Sequence, residues 1–328
     1  PRGMPQGEDP AVDKVNPYGW QWHHFDKSQP ENLVFLQRLR ALLDEYPNTT
    51  MVGEIGDDDG LGRMAQYTSG GDKLHMAYCF DLLGSQKSAT FLHALFTRFL
   101  DIVGDGWPCW ALSNHDCMRL ATRWGGPNPD PRLLRLAAAL QMSLRGSPCI
   151  YQGDELGLPE AEIAYEDLQD PFGITMWPEF KGRDGCRTPM PWVSQSADLG
   201  FSSAPTAAKP WLPVAATHVP LAADVQERDS ASLLHFYRQL LRWRKTRPSL
   251  LSGSLQVLEA HPQVLAYVRQ FEGETTLCVF NFSDQALQWA LPEGWAQAQP
   301  LPGSGLEGAR LQGGHVELEP WGGLFATL

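Results

Sequence analysis

Residues Cys109 to Asp116 read Cys-Trp-Ala-Leu-Ser-Asn-His-Asp, a short apolar run that ends in four polar residues with no spacer between. A run of that length closed by polar residues predicts a buried strand. Sheets built from βα units keep their chemistry at the C-terminal ends of their strands, where such polar groups crowd. His-Asp alone is a weak sign, more often a structural hydrogen-bonded pair than a catalytic one. A second stretch adds weight: Thr49-Thr50-Met51-Val52-Gly53-Glu54-Ile55-Gly56 ends a β-prone run on a carboxylate and enters the acidic, glycine-rich loop 57–62. Two strands of this kind aim an acid and a carboxylate into one mouth.

Outward from these strands the order repeats. Residues 30–46 carry apolar side chains at 33, 36, 39, 43 and 46, a helical spacing opened by Ser28-Gln29-Pro30-Glu31 in cap-like order. Strands are predicted at 49–55, 74–83, 107–116 and 147–158, with a short helix after the first, an amphipathic helix over 89–103 and another over 131–146. Alternation at roughly 30-residue spacing implies βαβ units and a parallel sheet. The architecture repeats but the sequence does not. From about Gly157 to Pro191 runs an excursion too long for an ordinary loop, and so functional or an inserted subdomain. A last amphipathic helix covers 230–247, ended with the help of Pro248. Beyond Ser252, short alternating or apolar runs split by Gly, Pro, Asn and Asp predict an all-β antiparallel domain over 252–328.

The 328 residues suffice for more than one domain, and a hydrophobic content of 43% is that of a globular chain. The net charge of -12 argues against nucleic acid or an anionic membrane surface as partner, since either needs a basic patch. No stretch has the apolar length of a membrane span. The six cysteines form no CxxC pair and several sit in apolar runs, which predicts free thiols, a reducing compartment and a cytoplasmic location. His23 and His24, in an aromatic cluster with Tyr18, Trp20, Trp22 and Phe25, lack a carboxylate or Cys at ligand spacing and read as a packed loop, so no metal site is expected. The chain opens Pro1-Arg2-Gly3-Met4, without an initiator Met or a leader pattern, and reads as the middle of something longer.

Val52-Gly53-Glu54-Ile55-Gly56-Asp57, Ser113-Asn114-His115-Asp116, the run 151–158 (YQGDELGL) and above all the run 181–192 (KGRDGCRTPMPW) resemble the C-terminal part of a glycoside hydrolase family 13 enzyme. Within that α-amylase superfamily the resemblance is to the exo-acting α-glucosidase and oligo-1,6-glucosidase group, and it covers essentially the whole chain. It implies a (β/α)8 TIM barrel entered near its fifth strand over residues 1–251, followed by a C-terminal β-sandwich over 252–328. The helices and strands read from periodicity agree with it.

The resemblance also implies roles. Glu54 matches the general acid/base, whose pKa must be raised for it to donate a proton to the glycosidic oxygen. Asp116 matches the carboxylate that holds two hydroxyls of the sugar being cleaved and favours its distorted, oxocarbenium-like form; His115 matches the histidine that donates to the same sugar. At least one of Arg183 and Arg187 matches the arginine at the non-reducing end, and the other is as readily a structural ion pair. Phe80 resembles an apolar wall of the leaving-group site, although an aromatic at a strand end is more often core, and Glu160 is placed near the acceptor sugar.

One departure is an absence. Retention needs a second carboxyl only about 5 Å from the first, as nucleophile. In this family it is an Asp in a motif of the type GFRLD, which does not occur here. The strand-three Asn-His motif and the early loop that would hold a structural Ca or Mg are missing too, so no cofactor is expected in these residues. A half-barrel leaves strand edges and an apolar face uncovered. The missing N-terminal half is therefore expected as a partner, and these residues alone are expected to be inactive. The expected function is that of a retaining exo-α-glucosidase acting on small α-glucosides or oligosaccharides by hydrolysis or transglycosylation. The alternatives are an isomaltase, a sucrose hydrolase or isomerase, a trehalose synthase, or a non-catalytic amylase-like interaction module.

Overall fold

A computed structural model describes residues 25–202 and 209–328; the histidine-aromatic cluster at 18–24 lies outside the described residues. Two compact units emerge. Among the described residues, one comprises 25–27, 113–128, 150–202 and 209–235, the other 28–112, 129–149 and 236–328.

The second unit holds a four-stranded parallel sheet in the order β1 (Val52–Gly53), β2 (Met76–Cys79), β3 (Pro108–Ala111), β4 (Ser147–Cys149). Between the strands run helices α2 (Gly60–Thr68), α3 (Ala89–Val103) and α5 (Pro131–Ser143), and α1 (Glu31–Leu43) precedes β1. Caps fix the starts: Asp59 accepts from the Gly62 N–H, Ser88 from Phe91 and Asp130 from Arg132, the last with Pro131 in the first turn. Helix α1 buries Leu36 and half-buries Leu33, Leu39 and Leu43 along the stripe the spacing predicts, but it ends at Leu43, and Tyr46 stands exposed. Its cap is Pro30, and Ser28 instead donates to Asp57. The strands are shorter than predicted, since only the residues in register with a neighbour pair: 49–55 contributes two residues, opposite Met76 and Ala77. Buried Gln141 of α5 donates to Trp110 O (3.0 Å) and Cys149 O (2.8 Å), tying together the C-terminal ends of β3 and β4.

The same unit contains two antiparallel sheets. One runs β5 (Ser254–Val257), β6 (Val264–Phe271), β7 (Glu274–Asn281), β12 (Gly323–Thr327), β9 (Gln299–Pro300), the other β10 (Ala309–Gln312), β11 (His315–Leu318), β8 (Leu287–Ala290). Val264, Ala266, Leu277, Val279, Val316, Leu318 and Ala326 form a core that draws on strands of both sheets. The β domain joins the helices of the parallel sheet through polar bonds at a buried seam. Tyr267 Oη shares a hydrogen with Ser143 Oγ of α5 at 2.7 Å. Arg269, wholly buried, donates to the carbonyls of Ser143, Ser254 (2.9 Å) and Gly253 (3.0 Å). Burial pulls its pKa down to about 10, while main-chain oxygens accept its hydrogens.

The first unit folds less regularly. It contains α4 (Leu120–Gly125), α6 (Pro171–Met176), α7 (Ala223–Glu227) and several single 3-10 turns. Among its described residues, Leu156, Leu158 and Met190 form one small apolar cluster and Ala161, Ile163 and Leu168 another. Helix α8 (Leu233–Lys245) crosses from this unit into the second, where α9 (Pro248–Ser252) follows. No helix among the described residues is long and apolar enough to cross a membrane.

Leu277 is completely buried in the two-sheet core. Leu277→Ala is expected to lower unfolding free energy by about 3 kcal/mol, read from denaturant midpoints at unchanged m-value; a loss under about 1 kcal/mol would count against this core.

Candidate active site

The loops that leave β3 and β4 both enter the first unit, and there Arg119 binds them. Its side chain is 1% exposed, donates to Gln152 O and Cys186 O at 2.8 Å each, and stacks over the Tyr151 ring. The Arg119 N–H donates to Glu160 Oε2 at 2.8 Å and the Glu160 N–H to Thr122 Oγ1 at 2.8 Å. Gly185 closes over this carboxylate, where a Cβ would stand 2.3 Å from Glu160 Oε1. Glu160 is thus tied into the framework of the loops, and burial raises its pKa. Asp154, buried beside Ser113, is pushed up to about 6 by burial, with the Ser113 hydrogen bond opposing. These contacts fix 113–120 against 152–160 and 184–187.

On that framework stands a cluster of charge. Arg183 Nη1 donates to Asp116 Oδ1 at 3.0 Å and Arg187 Nη2 to the same oxygen at 2.7 Å; His115 Nε2 lies 3.6 Å from it. Arg187 Nε also donates to His115 O. The three contacts to Asp116 fall on Oδ1, and its side chain stays 36% exposed with His115 at 58%. The arrangement presents one oxygen of a clamped carboxylate and an imidazole to a polar ligand, which suits hydroxyl recognition. Among the described residues no group of three or more His, Cys, Asp and Glu side chains is placed to hold a metal ion.

Asp170 went unnoticed in the sequence and is the anchor of this cluster. Its side chain has no exposure; it caps α6 through the Phe172 N–H and accepts from Arg183 N, Nε and Nη2 at 2.8 to 2.9 Å. Asp184, also fully buried, accepts from the N–H groups of Gln169 and Asp170 and so sets the turn that carries it. Asp-Pro at 170–171 was readable as a helix start, but the fork to Arg183 was not.

Glu54 and Phe80 belong to the second unit. Glu54 is exposed just past β1, and Phe80 follows β2 with its ring stacked 6.0 Å from Tyr78. Tyr78 Oη lies 3.5 Å from Cys149 Sγ. That bond, burial and then the charges of Cys149, Cys109 and Glu54 push the phenol up, while Cys149 is drawn down to about 6, chiefly by its bond with Cys109. All six cysteines are free. The structure thus brings His115, Asp116, Arg183 and Arg187 together, with Glu160 in the supporting framework, and places Glu54 and Phe80 at the ends of parallel strands.

The Arg183 bonds hold the Asp170 carboxyl down at about 2, against an ordinary 3.8. A depressed acid stabilises the fold above its unfolded pKa and loses that contribution as pH falls through its folded one. Asp170→Asn is therefore expected to cost roughly 2 kcal/mol near neutrality, with the gap to the unsubstituted protein narrowing as pH drops below about 4. Unfolding midpoints between about pH 6 and about pH 3 test this; a pH-independent gap would contradict it.

Residues 4–253 match the alpha-amylase catalytic domain model and 255–324 the maltogenic amylase C-terminal domain model. A probable alpha-glucosidase of Rhizobium meliloti is 48% identical over 317 residues, which cover 96% of this chain and 56% of that protein. Among solved structures, the alpha-glucosyl transfer enzyme XgtA superposes with a TM-score of 0.89 at 46% identity, over 95% of this chain and 57% of its own. The trehalulose synthase MutB from Pseudomonas mesoacidophila gives 0.77 at 25%, over 92% and 59%. The chain spans little more than half the length of these relatives. With parallel strands that end in Glu54 and Ser113-Asn114-His115-Asp116, and an antiparallel domain after residue 253, the chain belongs to the alpha-amylase family, glycoside hydrolase family 13.

Proposed function

We propose that these residues form the acid/base-bearing part of a retaining, exo-acting α-glucosidase that cleaves small α-glucosides from the non-reducing end. The observation that carries this reading is the Asp116 carboxylate, clamped on Oδ1 by Arg183 and Arg187 with His115 beside it. A carboxylate held this way can accept from sugar hydroxyls without turning, while the imidazole donates. Hydroxyl bonds that strengthen as the ring flattens stabilise an oxocarbenium-like transition state. Glu54 is the proton donor to the departing oxygen and, in the second half of the reaction, the base that activates water. Phe80 lines the leaving-group side, and the nucleophile is an Asp outside these 328 residues. The α-glucosidase relative supports hydrolysis; the likeness to an α-glucosyl transfer enzyme favours a second reading, in which an acceptor alcohol takes the place of water.

The test is Glu54→Gln in the complete enzyme. The amide is nearly isosteric but cannot donate a proton, so turnover of alkyl α-glucosides is expected to fall about 10³-fold. An aryl glucoside, whose leaving group needs little protonation, should lose much less in its first step. Near-normal rates on alkyl glucosides would sink the assignment.

A further inference from the structure

Between the first turns of α5 and the sheet of β10, β11 and β8 lies a cavity of about 870 Å³, lined by residues of the second unit. The strand register shows how it is built. Arg310, Glu317 and Gln288 stand opposite one another across the three strands, so their side chains share one face, with Gln288 Nε2 3.5 Å from Glu317 Oε1. The next row, Leu311, Val316 and Trp289, turns to the other face and packs into the two-sheet core. The polar row is left to line the cavity. On the α5 side Arg132 contributes, oriented by its fork to Asp130, with Nη2 2.7 Å from Oδ2.

The turn from Glu319 to Gly322 forms a further wall, and it is held firmly. Buried Asn281 donates to Gln285 O at 2.7 Å and Glu319 O at 2.8 Å, and the Trp321 N–H donates to Ser283 O at 3.0 Å. Gly308 comes so close that a Cβ there would stand 2.9 Å from Gly322 Cα. Within these bonds Trp321, which lines the cavity, takes a φ of 55°, a left-handed conformation rare for an aromatic residue. Strain of this kind persists where the surroundings over-determine it, and it collects at ligand sites.

The lining selects a class of ligand. Among the described residues that form it, Arg132, Arg135 and Arg310 are matched by Glu307, Glu317 and Glu319, so neither an anion nor a cation meets a surplus of opposite charge. Guanidinium, carboxylate and amide groups side by side supply the donors and acceptors that vicinal hydroxyls need, and an indole offers apolar surface to the C–H bonds of a sugar ring. The volume is that of a small-molecule site. We propose that this cavity is a second, non-catalytic binding site for a short neutral oligosaccharide. It depends on no step of the α-glucosidase reading.

Calorimetric titration of the complete protein with maltotriose, in the Glu54→Gln background so that no turnover consumes the ligand, provides the test. Two classes of site are expected, one of which weakens roughly tenfold in Trp321→Ala and in Arg310→Ala. With Glu54 restored, kcat/KM on p-nitrophenyl α-glucoside should be unchanged by either substitution. Trp321→Phe, which keeps an aromatic face, should recover much of the affinity. Arg310→Ala, at an exposed strand position, carries the test should Trp321→Ala fail to fold. Maltotriose binding untouched by these substitutions, or a cavity that takes inorganic phosphate and no sugar, would overturn the proposal. A complete protein with no α-glucosidase activity that still loses maltotriose binding in both variants would overturn the catalytic reading and uphold this one.

Discussion

The site depends on two buried carboxylates, Asp184 and Asp170. Asp184 gathers the N–H groups of Gln169 and Asp170, and Asp170 gathers one N–H of α6 and three of Arg183. Among the described residues the excursion contributes to small apolar clusters, and directional bonds help to set its shape. The consequence is functional. Arg183 is held rigidly enough to meet Asp116, an ion pair that a free surface arginine would form only weakly. Preorganised donors around a carboxylate cost nothing to orient when the ligand arrives.

The second unit solves a different problem. A β domain attached to a parallel sheet could swing, but here it is bonded through Tyr267 and Arg269 to Ser143 at the end of α5. Gln141, on the same helix, holds the ends of β3 and β4 together. One helix therefore links the β domain to the strand ends from which the β3 and β4 loops depart. A buried arginine paired only with carbonyls is costly to desolvate, and its removal would leave main-chain acceptors unpaired.

Local rules were legible where the cause is local. Helix α3 begins at Ser88 and ends before Gly104, as cap and breaker residues dictate. Strand extents were not, because pairing is decided by the neighbour: Thr49 turns back to cap Leu43 O and Tyr46 O instead of entering β1. The strands at 299–300 and 309–312 are not legible, since runs such as Ala-Arg-Leu-Gln alternate but are too short to stand out. Sequence motifs named Asp116, His115, Arg183 and Arg187 but left open which arginine does what, and the geometry puts both on one oxygen. Glu160 reads as a site residue from its motif, yet its carboxylate is bonded to the Arg119 main chain. Asp170 stayed hidden because its partner lies 13 residues away across a turn that only the fold closes.

On the proposed α-glucosidase reading, these residues supply the proton donor and the sugar-holding carboxylate but not the nucleophile. The most direct measurement is to trap the complete enzyme with a fluorinated glucosyl fluoride that forms the covalent intermediate faster than it hydrolyses, then map the added glucosyl group by peptide mass spectrometry. One adduct is expected, on an aspartate in a peptide outside the present sequence. An adduct on Glu54, Asp116 or any other residue of these 328 would contradict that reading.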